Sequence, residues 1–101
     1  MELRMEHIGT TLVAKLAGEI DQSCAGIIRE KLDRELAYRG IQNLILDFAD
    51  VAFMDSSGIG MILGRYKQIN ARGGKMMMIR IQPQVDRVLE LSGLKKIIEC
   101  S

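Results

Sequence analysis

A chain of 101 residues can bury one core but not two. Its apolar fraction of 48% and charged fraction of 27% are ordinary for a globular domain. With 14 basic and 13 acidic residues the net charge is +1, which provides no basic footprint for nucleic acid and no pull toward an anionic membrane.

Two short alternating runs, Leu3 to Ile8 and Thr11 to Leu16, flank Gly9-Thr10 and predict a β-hairpin. His7, the only histidine, has no carboxylate or cysteine pattern around it, so no role is assigned to it. Gly18-Glu19-Ile20-Asp21 ends the second strand, and Asp21 or Ser23 is placed to cap a helix reaching about Tyr38. Ile28, Leu32 and Leu36 form its buried stripe. Arg29/Asp33, Glu30/Arg34 and Lys31/Glu35 are spaced for ion pairs worth roughly 0.2–0.5 kcal/mol each. Gly40 is expected at the C-cap.

Gln42 to Phe48 holds the unbroken apolar run Leu44-Ile45-Leu46, the pattern of a strand covered on both faces. A short connection then leads to the helix that begins at Asp55-Ser56-Ser57 and stops near Ala71-Arg72-Gly73-Gly74. Lys75 to Ile81 reads as a strand whose three consecutive methionines fill core space. Pro83 opens a further helix with Val85, Val88 and Leu89 inward, and Ser92-Gly93 stops it. Lys95 to Glu99 is expected to add a short last strand. Strands alternating with helices imply right-handed parallel crossovers. The expected fold is therefore one α/β domain over 1–101: a small mixed sheet, with a hairpin plus parallel strands, packed with three to four helices.

The stretch with chemical character is Phe53-Met54-Asp55-Ser56-Ser57-Gly58-Ile59-Gly60. Short side-chain oxygens suit a helix start, where free N–H groups and the helix dipole also favour negative charge. Ile59, Ile62, Leu63 and Tyr66 fall on one face of the helix wheel. Ser57, Gly60, Met61, Gly64 and Gln68 fall on the other, with Gly58 beside the serines. An interior glycine costs roughly 0.8–1.0 kcal/mol against alanine. Bare backbone next to two hydroxyls points to close approach by another molecule, with phosphorylation as the switch. Helix capping and relief of packing are the alternative uses of these residues.

Other chemistries fit less well. A serine-hydrolase elbow needs G-x-S-x-G and a partnering histidine, and neither serine has glycine two residues before it. Gly58, Gly60 and Gly64 follow a strand, as a dinucleotide loop would, but the third glycine comes one residue late and no acidic residue ends the next strand. Cys24 and Cys100 lack metal or disulfide spacing, so no metal or other cofactor is expected. No apolar run approaches membrane-spanning length. The N-terminus mixes charges from Glu2 onward, unlike a signal peptide, so a cytoplasmic protein is expected.

The serine motif, continued through Leu63-Gly64-Arg65-Tyr66-Lys67-Gln68-Ile69, resembles the STAS-domain anti-sigma factor antagonists, most closely their sporulation branch. Gly18-Glu19-Ile20-Asp21 and Ser92-Gly93-Leu94 with Ile97-Ile98 extend the resemblance over nearly the whole chain. The resemblance implies a non-enzymatic regulator. Unphosphorylated, it binds an anti-sigma factor that is also a serine kinase and so releases sporulation sigma factor F. Phosphorylation by that kinase turns it off, and a PP2C-type phosphatase restores it. The serine directly after Asp carries over to Ser56, with Ser57 as second choice. Asp21, Asp55, Ser57, Gly58, Gly60, Met61 and Gly64 are expected on the partner-facing surface. Other STAS domains serve general stress signalling or accompany transporters, and these remain alternatives.

Overall fold

The computed structural model covers residues 1–101. Its strands are β1 (Glu2–Ile8), β2 (Thr11–Ile20), β3 (Asn43–Met54), β4 (Met76–Ile79) and β5 (Glu99–Cys100). Its helices are α1 (Ala25–Leu36), α2 (Ser56–Ala71) and α3 (Pro83–Ser92), and a 3₁₀ turn spans Leu94–Lys96. The strands form one sheet in the order β1-β2-β3-β4-β5. β1 and β2 are antiparallel, and every later neighbour is parallel. This is the mixed sheet with an N-terminal hairpin that the sequence predicts, packed with three of the expected three to four helices.

The strand order explains why the molecule has only two layers. Each crossover advances the chain by one strand in the same direction. Right-handed crossovers then place every helix on the same face. Leu12, Ala14 and Leu16 of β2 meet Leu44, Leu46 and Phe48 of β3 and Met76 and Met78 of β4 beneath the helices, in a core of 23 buried residues. Val13, Lys15, Ile45, Met77 and Ile79 point the other way and are half-buried. The unbroken run Leu44-Ile45-Leu46 therefore does not mark a strand with helices on both sides. A sheet whose order never reverses also lacks the switch-point crevice that dinucleotides use.

Several boundaries depart from expectation. β3 continues through the supposed connection and delivers Met54 directly to α2, because bulges opposite β2 absorb the break in alternation at Ala49-Asp50. α1 begins after Cys24 and ends at Leu36; neither Asp21 nor Ser23 caps it by side chain. Gly40 lies beyond the helix end, in a separate turn at φ 86°. The ion pairs expected along α1 give way to cross-element contacts: Asp33 pairs with Arg65 of α2, and Glu35 is hydrogen-bonded to His7 of β1. β4 is cut short at Ile79 by Arg80 in the left-handed region, φ 56°, where its guanidinium binds the Asp47 carboxylate. That guanidinium holds the Asp47 carboxyl below its usual range. The last strand is only Glu99–Cys100, since Leu94–Lys96 turns instead. α3 is as expected, with Pro83 in its first turn and Gly93 left-handed at its end.

Candidate functional site

β2 and β3 run parallel and end side by side, with Ile20 opposite Met54. The Asp55 N–H donates to the Ile20 carbonyl at 3.1 Å, which locks the start of α2 to the loop that leads into α1. Asp21 shapes that loop. Its carboxylate accepts from the Ser23 N–H at 3.0 Å and from the Ser23 hydroxyl, and its carbonyl accepts from the Cys24 and Ala25 N–H groups. The Ser23 hydroxyl is the main cause holding the Asp21 carboxyl below its usual range.

Asp55 is the N-cap of α2. Its Oδ1 accepts from the Ser57 N–H at 2.9 Å and from the Ser57 hydroxyl. The hydroxyl bond is the largest cause of its lowered pKa, and the Gln22 N–H adds to it. Ser57 is half-buried with its hydroxyl engaged. Ser56, in the first turn beside it, is exposed, and no hydrogen bond holds its side chain. The structure thus separates two residues that look equivalent in sequence.

The glycines also separate. A Cβ on Gly58 would sit 2.5 Å from Met54 Cγ and 3.0 Å from Ile20 Cγ2, so this glycine exists for packing under the helix. A Cβ on Gly60 or Gly64 would meet no atom within 4 Å. Of the residues expected on the partner-facing surface, Gly58 and Met61 are buried. The buried stripe of α2 runs Gly58, Met61, Ile62, Arg65 and Ile69, because α1 packs along the side that a wheel drawn for α2 alone leaves outside. Gly60 and Gly64 remain open. With Ser57, Gln22, Gly26 and Arg29 they edge a shallow groove between α1 and α2, with Met61 in its floor.

Arg65 and Asp33 hold this groove in shape and were not found by spacing. Arg65 is only 6% exposed, and burial lowers its pKa. Its Nε lies 2.9 Å from Asp33 Oδ1, close enough for an ion pair though off the N–H direction. Gln68 donates to the same oxygen at 2.9 Å. His7 is remote from the serines and lies 2.8 Å from Glu35. No helix is long and apolar enough to cross a membrane.

A mixed sheet of five strands with three helices is the STAS fold. Residues 2–101 match the STAS domain, and the chain belongs to that family. It is 40% identical to the anti-sigma F factor antagonist of Paenibacillus polymyxa, across 97% of this chain and 84% of that protein. It is 37% identical to the anti-sigma-B factor antagonist of Bacillus subtilis (strain 168), across 85% and 77% respectively. The solved structure of the antagonist SpoIIAA in its unphosphorylated form superposes with a TM-score of 0.87 at 30% identity, covering 99% of this chain and 88% of that one. The phosphorylated form of the Bacillus SpoIIAA gives 0.78 at 29% identity, covering 99% and 91%. These relatives put the chain among the anti-sigma factor antagonists, which are regulators and not enzymes.

Proposed function

We propose that the unphosphorylated chain binds an anti-sigma factor that is also a serine kinase, that this frees sporulation sigma factor F, and that phosphorylation of Ser56 ends the interaction. A PP2C-type phosphatase reverses the switch, and the cycle runs in the cytoplasm without direct contact with nucleic acid. One observation carries the choice of residue: the Ser56 hydroxyl is exposed and unheld, whereas that of Ser57 is engaged by Asp55. A kinase must align the accepting hydroxyl with the γ-phosphoryl group, and a hydroxyl without a partner is free to turn.

The same geometry supports how modification would act. A phosphoserine adds about −1.5 to −2 charges and three strong acceptor oxygens. On Ser56 they would stand beside the ionised Asp55 and above the open backbone of Gly60. A partner fitted closely to Gly60 and Gly64, with Asp21, Asp55 and Ser57 around them, would meet new bulk and charge together.

The test is to incubate the protein with an anti-sigma F kinase and labelled ATP, then map the label. Ser56 is the expected site, and Ser57 carrying the label would overturn the assignment. The 37% identity to a sigma-B antagonist supports a second reading, in which the cognate kinase belongs to the general stress pathway. Offering both kinases in parallel separates the two readings by which one phosphorylates the chain.

A further inference from the structure

We propose that β1 is a self-pairing edge, along which two copies of this chain join antiparallel about Met5 into one continuous sheet. The hairpin fixes which backbone groups are free. β1 and β2 are joined by Gly9-Thr10, with Ile8 opposite Thr11. The Thr10 carbonyl is taken by the Gln42 and Asn43 N–H groups on the β3 side. Direction alternates along a strand, so Thr11, Val13 and Lys15 turn their backbone groups toward β1, where Ile8, Glu6 and Arg4 meet them. The backbone groups of Leu3, Met5 and His7 therefore face outward, and no strand lies beyond them.

Antiparallel pairing about Met5 sets Met5 against Met5 and Leu3 against His7 as hydrogen-bonded pairs. Arg4 and Glu6 of one copy then oppose Glu6 and Arg4 of the other. These are non-hydrogen-bonded positions, where opposed side chains come closest. Within one chain neither residue belongs to an ion pair: the pairs are Lys15–Asp50, Arg65–Asp33, Arg80–Asp47 and Lys95–Asp86. Arg4 instead lies opposite Lys15, and Glu6 opposite Val13. A second copy supplies both missing partners at once. This register also uses all 7 residues of β1, which no shifted one does.

The helix side of the edge agrees. Leu3 and Met5 are half-buried at the margin of the core, and the exposed Met1 and Ile27 stand beside Leu3. A second chain would extend the apolar layer over them. The contact is isologous and closes at two copies. The opposite edge is the two-residue β5. α2 packs over β3 and away from β1, so its serine face stays free in the pair.

Sedimentation of the full chain across the micromolar to millimolar range tests this, with amide hydrogen exchange followed in parallel. The mass should rise toward two copies, and the Leu3, Met5 and His7 amides should become protected over the same range. Arg4→Glu should weaken pairing by about tenfold or more, since both symmetric pairs become repulsive. Arg4→Glu with Glu6→Arg should restore it. A chain that stays monomeric overturns the proposal. So do edge amides left unprotected as the mass doubles, or a double variant as weak as the single one.

Discussion

Asp55 accepts from both the N–H and the hydroxyl of Ser57, so truncating Asp55 disturbs the start of α2, whereas truncating Ser56 removes a hydroxyl that nothing holds. Ser56→Ala should change stability by no more than about 0.5 kcal/mol, as for an exposed side chain without partners. It should keep binding the kinase and take no label, giving a permanently active antagonist; a substantial drop in melting temperature would show that the hydroxyl does hold the helix. Asp55→Ala should melt at lower temperature, and its deficit should depend on pH. Hydrogen bonds from Ser57 depress the folded pKa of Asp55. A carboxyl of that kind contributes stability above its unfolded pKa and loses it as pH falls through the folded value. The gap between wild type and Asp55→Ala should thus be full near neutrality and close below the ordinary carboxylate range. A gap constant with pH would mean that the ionised carboxylate is not the source. The sequence made the Asp-Ser-Ser start legible, because few residue types cap helices. Which serine remains free depends on one rotamer at Ser57, which spacing does not encode.

At the scale of the element, α2 carries glycines with opposite roles. Gly64→Leu should leave the protein folded and raise its melting temperature, since a Cβ there meets nothing and replacing helical glycine recovers up to about 1 kcal/mol. The same side chain should abolish kinase binding by holding the partner off the helix. Gly58→Ala should do the reverse and cost about 1–3 kcal/mol, because its Cβ intrudes on Met54 and Ile20 in a filled core. Thermal melts with a kinase-binding assay on both variants check this. A Gly64→Leu that binds normally would remove the helix face from the interaction. The wheel found Gly60 and Gly64 because the apolar stripe of α2 is clear. It misplaced Met61 because a single-helix period contains no second helix, and α1 covers that flank through Arg65, Gln68 and Asp33. For the same reason Asp33 looks like the partner of Arg29 in sequence and is the partner of Arg65 in space.

At the scale of the molecule, strand order decides what each strand residue contributes. The alternation of strands and helices made the mixed sheet legible. The continuous run Leu44-Ile45-Leu46 suggested cover on both faces, because hydrophobicity alone does not distinguish a buried face from one shielded by its own neighbours. The monotonic order, with one hand of crossover, puts all three helices on one side. Leu46 is fully buried under them, while the adjacent Ile45 is half-buried among side chains of the open face. Leu46→Ala should therefore cost about 2–5 kcal/mol, the range for a large core deletion. Ile45→Thr keeps the branched side chain that suits a strand and should cost less than about 1 kcal/mol. Urea unfolding of the two variants measures the contrast directly. Equal losses would mean that a further layer covers the open face in solution. An unequal pair would leave the back of the sheet energetically quiet, with the stability concentrated in the layer that presents the serine. In that case the partner proposed to dock on α2 would meet a surface braced from below by the core, and the phosphate proposed for Ser56 would stand on a support that it need not disturb.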